Sequence, residues 1–218
     1  MKRQSLVLSA IVLMMILFVT ATQLYQNQRE AETTSLASEE QDLFVPADAP
    51  TFGDAAAAVT IVEFFDPACE SCRAFYPALK QIMDSHPGQV RLVLRYVPLH
   101  QGSDIAVKIL EAARRQNRYV ETLELMYERQ PQWASHHHPR PDLIWSFLPQ
   151  AGVDVEKARA DYADPALDAI LERDIAAAET LGVRKTPSFF VNGRPLTTFG
   201  YEPLVALVQE ELAAANAN

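Results

Sequence analysis

The two cysteines of this chain, Cys69 and Cys72, form a C-x-x-C motif, and the chain contains no others. The motif follows an apolar run at residues 59–65 and precedes a pattern typical of a helix at residues 73–86. A strand that leads into C-x-x-C at the start of a helix is the setting of thiol–disulfide chemistry. The motif therefore predicts an α/β arrangement built around a redox-active cysteine pair.

A purely structural disulfide explains this motif poorly. Closing a loop of four residues is worth about 2 kcal/mol, against about 4–5 kcal/mol for a loop of a hundred. Metal binding stays open as an alternative, with copper held by Cys69 and Cys72 and aided by the histidines at 136–138. Those histidines are expected to be solvated, and no second C-x-x-C completes a zinc site, so we expect no metal and no cofactor besides the cysteine pair.

Residues 1–25 are predicted to be a signal-anchor or a signal peptide. Lys2 and Arg3 precede an apolar stretch, so the positive end should stay in the cytoplasm while the rest is exported. Residues 19–21 fit a cleavage site, whereas residues 6–25 would form about 30 Å of helix, enough to span a bilayer. We favour the uncleaved anchor, because residues 26–50 are polar and are predicted to form a flexible stalk. Either outcome places the domain in an oxidising compartment.

The charge of the chain excludes one class of partner. The formal charge is −9, and removing the two basic residues at the N-terminus leaves 28 acidic against 17 basic residues, or −11. This acidity argues against binding to nucleic acid and against docking of the domain to anionic lipid.

The pattern over residues 51–218 predicts one domain with the order β-α-β, a block of helices, then β-β-α. The strand at 59–65 is apolar except for Thr60 and Glu63, as expected of a strand buried on both faces. Asn192-Gly193 is a hairpin signal. The remaining predicted elements are a helix at 69–86, a strand at 90–97, helices within about 103–181, strands at 188–191 and 195–199, and a helix at 203–213.

Two segments resemble the thioredoxin superfamily. Glu63-Phe64-Phe65, the cysteine pair and Pro77 are similar to its active-site helix, and residues 182–193, with Thr186-Pro187, are similar to its cis-proline strand. The helical insertion at about 103–181 resembles that of DsbA-like proteins. The resemblance implies a thioredoxin fold with an inserted helical subdomain, preceded here by a membrane segment.

The resemblance also implies roles for individual residues. Cys69, at the helix N-terminus where a negative charge is favoured, would be the attacking sulfur, and Cys72 would be the buried resolving one. The bond before Pro187 would be cis, which exposes the backbone of Thr186 to an extended substrate. Glu63 would lie beneath the cysteines as a proton acceptor for Cys72, because a buried carboxylate is costly unless it is paired or protonated.

Some alternatives stay open at this point. Glu63 could instead face solvent at a strand edge, and Arg95, a possible countercharge for it, is expected on the solvated surface. Glu70 and Ser71 supply no cation between the cysteines, whereas DsbA has Pro-His there. We therefore expect a smaller fall in the pKa of Cys69 and a less oxidising disulfide than in DsbA.

These observations predict a bacterial-envelope thiol–disulfide oxidoreductase on the extracytoplasmic side of the inner membrane. It would act on cysteines of exported proteins, chiefly as a disulfide donor, with a reductase or isomerase as the alternative. The resemblance implies a redox partner in the membrane, either a quinone-linked oxidase of the DsbB type or an electron-donating reductase. A copper-binding module that uses the same cysteines is the alternative from another class.

Overall fold

The computed structural model describes residues 2–217, without the side chains of residues 2–9 and 38. The basic side chains of Lys2 and Arg3 thus lie outside the described part. Within residues 2–217 the strands are β1 (Thr51–Phe52), β2 (Val59–Phe65), β3 (Val90–Tyr96), β4 (Ser188–Val191) and β5 (Arg194–Pro195). The α-helices are α1 (Lys2–Glu39), α2 (Gln41–Phe44), α3 (Glu70–Ser85), α4 (Ser103–Arg114), α5 (Tyr119–Trp133), α6 (Ile144–Phe147), α7 (Val155–Tyr162), α8 (Pro165–Thr180) and α9 (Tyr201–Asn216).

The strands form one mixed sheet in the order β1-β3-β2-β4-β5. Strand β2 pairs in parallel with β3 and antiparallel with β4, so that Phe64 lies opposite Ser188 and Ile61 opposite Val191. The carboxyl end of β2 and the start of β4 therefore share one edge of the molecule. Cys69 follows the end of β2 and Pro187 precedes the start of β4, so both segments lie at that edge.

Both faces of the sheet are covered, as the apolar pattern of β2 predicts. Side chains that alternate along β2 enter two separate clusters. The cluster on the first face contains Ile61, Phe65 and Cys72 with residues of α4, α5 and α9. The cluster on the second face contains Val62 and Phe64 with residues of α2 and α8. The predicted α/β thioredoxin fold with a helical insertion, here α4 to α8, is confirmed.

The flexible stalk expected at residues 26–50 differs from the structure. Helix α1 continues to Glu39, Thr33 is buried, and Phe44 belongs to the second core cluster. Folded structure therefore begins well before Thr51, because this polar segment contacts the sheet edge through specific residues. The apolar stretch itself is exposed, and Ala10–Ala37 is long and apolar enough to cross a membrane, a test that a signal sequence also meets.

Smaller differences concern element bounds. The composition of residues 131–141, with three prolines, predicts a loop, but helix α5 extends through Pro131 to Trp133, and β5 is only two residues long. The short strand β1, which pairs with β3, was not expected. Asp164 is the N-cap of α8, since its carboxylate accepts from the backbone N–H of Ala166 at 2.9 Å.

Candidate active site

The cysteine pair lies where β2 leads into α3. Cys69 is the N-cap of α3 with extended backbone, and Cys72 lies one turn inside the helix. Both are free thiols, Cys69 6% exposed and Cys72 fully buried. The exposure matches the expected order, in which the first sulfur can be reached from outside and the second cannot.

The environment separates the two thiols electrostatically. The pKa of Cys69 is lowered to about 5, chiefly by a hydrogen bond with the Cys72 side chain; burial opposes this, and hydrogen bonds with Thr186 and the backbone at Ser71 and Cys72 contribute. The pKa of Cys72 is raised, chiefly by burial and also by its bond to Cys69 and the charge of Glu63. One sulfur is thus a thiolate at neutral pH while its neighbour keeps its proton.

Pro187 lies beside the pair, as expected. The Thr186–Pro187 bond is cis, and the carbonyl oxygen of Thr186 lies 3.3 Å from the Cys69 sulfur, where it accepts a hydrogen bond when Cys69 is protonated. Thr186 is half-buried and Pro187 is buried. An extended chain that adds to this loop would place its own sulfur near Cys69.

Glu63 is buried on the same sheet face as the cysteines. Its side chain is 2% exposed, and its Oε1 has no hydrogen-bond partner among the described residues. Burial, and secondarily the charge of Cys69, raises the pKa of Glu63 to about 8. The alternative in which Glu63 faces solvent is therefore wrong, and the carboxyl holds a proton near neutral pH.

Arg95 is not on the surface, so that expectation is wrong. It pairs with Phe64 in register and points to the second sheet face, away from Glu63. Its side chain is fully buried, and its Nε donates to Asp174 at 2.9 Å while Nη1 donates to the Leu43 carbonyl at 2.6 Å. Arg95 therefore joins α8 and the segment after α1 to the sheet and offers no countercharge to Glu63.

Asp66, which is not among the predicted site residues, organises the loop before the cysteines. Its carboxylate is fully buried and accepts from the backbone N–H groups of Ala68, Leu99 and His100 at 2.8–3.0 Å. The His100 ring and the Ser103 hydroxyl also bond to it, at 2.7 and 2.6 Å. The Asp-Pro pair directly after a strand was the available signal, since such pairs form turns.

Gln130, also absent from the predicted site residues, connects the helical insertion to the cysteine loop. It is 1% exposed, and its Nε2 donates to the carbonyl oxygens of Pro67 at 2.8 Å and Cys69 at 3.1 Å. Both partners are acceptors only, so the amide nitrogen must face them. Nothing local in the sequence around Gln130 distinguishes it from an ordinary helical residue.

The histidine loop reaches the motif through one residue. His136 Nε2 lies 3.9 Å from Glu70 Oε1, and its ring centroid is 5.9 Å from that of His100. Glu70, which lies between the two cysteines, therefore has His136 beside it, although the C-x-x-C motif itself contains no histidine. Across the described part of the chain, no three His, Cys, Asp or Glu side chains are grouped so as to hold a metal ion.

Comparison with known proteins identifies the fold family. A thioredoxin family model matches residues 45–210. A thioredoxin-like oxidoreductase from Silicibacter pomeroyi DSS-3 is 28% identical and superimposes with a TM-score of 0.69, covering 82% of this chain and 98% of that one. BdbD from Bacillus subtilis, at 22% identity and a TM-score of 0.70 over 78% and 96% of the two chains, shares the fold.

A curated relative carries a different name. The Na(+)/H(+) antiporter NhaA of Herminiimonas arsenicoxydans is 34% identical over 140 residues, which are 64% of this chain but 22% of that protein. The aligned part therefore covers about a fifth of the relative's length.

Proposed function

We propose that this chain, which belongs to the thioredoxin family as a DsbA-like thiol–disulfide oxidoreductase, donates disulfides to exported proteins at the bacterial envelope. The main support is the difference in pKa between the two cysteines: the pKa of Cys69 is about 5, while the pKa of the buried Cys72 is raised. A stabilised Cys69 thiolate favours the reduced form of the enzyme, which makes its disulfide a better oxidant.

The geometry supports the following sequence. A substrate thiolate attacks the Cys69 sulfur, the Cys69–Cys72 bond breaks, and Cys72 leaves with the electron pair. Glu63, protonated near neutral pH, gives its proton to Cys72. The second substrate thiolate then attacks the mixed disulfide and releases Cys69 as a thiolate. The substrate has lost two electrons and the enzyme pair has gained them.

Thr186 and Pro187 are proposed to bind the substrate segment that carries the attacked cysteine. The carbonyl of Thr186 already lies within hydrogen-bond distance of the Cys69 sulfur. An extended substrate strand that pairs with this backbone would hold its sulfur in line with the disulfide.

Oxidation of a reduced, unfolded model protein by the purified disulfide form tests this proposal. We expect stoichiometric formation of substrate disulfide, with no reaction by Cys69→Ser and trapping of a mixed disulfide by Cys72→Ser. Faster reduction of insulin than oxidation of the model protein would support the reductase alternative. Unchanged activity after removal of copper would argue against the copper-binding alternative.

We further propose that residues 6–25 remain as a membrane anchor and that a membrane redox partner, a DsbB-type oxidase or a reductase, recycles the cysteine pair. Support comes from the length and composition of the exposed apolar part of α1. Carbonate extraction of membranes from expressing cells tests the anchor: retention of the full-length chain supports it, and release of a chain that lacks the first 21 residues would show cleavage.

A further inference from the structure

The end of α1 is fastened to the β4–β5 hairpin. Thr33 is 2% exposed, and Glu30 Oε1 accepts from Arg194 Nε at 2.6 Å. At Gly193 an added Cβ would lie 2.3 Å from the Cβ of Ala37, so the helix and the turn touch directly. These contacts fix the direction in which α1 leaves the domain.

Towards its N-terminus, α1 follows β4 to the cysteine end of the sheet. Arg29 Nη2 donates to the Leu181 carbonyl at 3.4 Å, and Tyr25 lines the same cleft as Ser188. Ser188 begins β4 and lies two residues after Thr186, whose carbonyl accepts from the Cys69 thiol. The apolar part of α1 therefore projects beyond the edge that carries the active site.

Dimensions place that edge near a bilayer surface. Residues 6–25 match the hydrocarbon thickness of about 30 Å, and the headgroup layer adds about 5–8 Å on each side. The rise from Tyr25 to Arg29, where α1 bonds to the domain, is about 6 Å. An embedded anchor thus leaves only the thickness of the headgroups between the hydrocarbon and the cysteine end of the domain.

The side chains at this end suit such a position. Phe199 is 47% exposed and its ring lies 4.6 Å from that of Phe75 on the active-site helix, while the Lys185 amino group lies 5.9 Å from the Phe199 ring. Arg184 and Lys185, just before the cis-proline bond, are exposed. Aromatic and basic side chains are favoured at membrane interfaces. Phe199, Arg184 and Lys185 supply both kinds at this end, although the net charge of the domain is negative.

We infer that α1 holds the Cys69 face of the domain against the bilayer surface, where it exchanges disulfides with a membrane-embedded protein whose cysteines lie at headgroup level. The inference rests on the proposed function. Two partner thiols become a disulfide and give two electrons and two protons to the Cys69–Cys72 disulfide, which becomes two thiols. A bulky folded protein would have little space between this face and the bilayer.

The test uses the full oxidised chain in phosphatidylcholine vesicles that contain a lipid with a thiol headgroup, phosphatidylthioethanol. The matched variant carries fourteen extra Ala-, Glu- and Lys-rich helical residues between Gln28 and Arg29, which raise the domain by about 21 Å. We expect the thiol lipid to reduce the wild type at least tenfold faster than the variant, while soluble glutathione reduces both equally.

The outcomes are separable. Equal rates with the thiol lipid, or a wild type that reacts with glutathione but not with the lipid, would overturn the inference and leave the proposed function standing. A wild type that exchanges with neither reagent would reject the proposed function itself. Equal glutathione rates also show that the insertion leaves the domain folded.

Discussion

The buried carboxyl of Glu63 makes the stability of this domain depend on pH in a defined direction. Its pKa is about 8, against an ordinary value of 4.5, because burial disfavours the charged form. The native state therefore binds this proton more tightly than the unfolded chain does. The contribution of Glu63 to the free energy of unfolding is greatest below about pH 4.5. It falls as the pH rises towards about 8 and is constant above that value.

The expected size follows from the same two values. At pH 7 the unfolded chain has Glu63 ionised while the native state keeps it protonated, which costs about 3 kcal/mol of folding free energy. Glu63→Gln keeps the shape and removes the titration. We compare the unfolding free energy of the variant with that of the wild type at each pH. The difference between the two, variant minus wild type, should be about 3 kcal/mol larger at pH 7 than at pH 4.

Urea unfolding at pH 4, 5.5, 7 and 8.5, followed by the fluorescence of the buried Trp133, measures this difference. Glu179→Gln, at an exposed position on α8, is the matched control and should leave the pH dependence of the wild type unchanged. Parallel pH profiles for wild type and Glu63→Gln would refute the assignment of Glu63 as a protonated buried acid.

Three further outcomes follow from the site. Iodoacetamide should alkylate Cys69 first in the reduced protein, with a rate that is half-maximal near pH 5, and first labelling of the second cysteine would reverse the roles. Arg95→Leu should lower the unfolding free energy by about 3 kcal/mol, because Asp174 loses its fully buried partner; a loss below 1 kcal/mol in urea unfolding would contradict this. Gln130→Met should lower the free energy of unfolding by about 1–3 kcal/mol, because the carbonyls of Pro67 and Cys69 lose their buried donor, whereas the exposed Gln132→Met should leave it unchanged in urea unfolding.

The parts of the fold and site that depend on local signals could be predicted from the sequence. The bounds of β2 and β4 follow from short apolar runs, and Asn192-Gly193 marks the hairpin, where both residues have positive φ. The cysteine pair was predictable from its own compact motif, and the cis bond before Pro187 from the resemblance of residues 182–193 to the thioredoxin superfamily.

The rest depends on partners that are distant in the sequence. Arg95 is read as a surface residue until Asp174, 79 positions away, is brought beneath it. Gln130 bonds to a loop 61 and 63 positions earlier, which no periodicity indicates. The polar composition of residues 26–50 suggested a stalk, because the contacts of α1 with Arg194 and Gly193 exist only once the hairpin has formed.

The reduction potential of the Cys69–Cys72 pair decides whether this chain donates disulfides or reduces them. Equilibration of the full chain with glutathione buffers of known ratio, with the fraction of free thiol measured at each, gives this value. The Cys69 pKa of about 5 lies between the pKa of the reactive cysteine in thioredoxin, about 7, and that in DsbA, about 3.5. We expect a potential between about −270 and −120 mV, more oxidising than that of thioredoxin. A potential at or below about −270 mV would contradict a disulfide donor and identify the chain as a reductant.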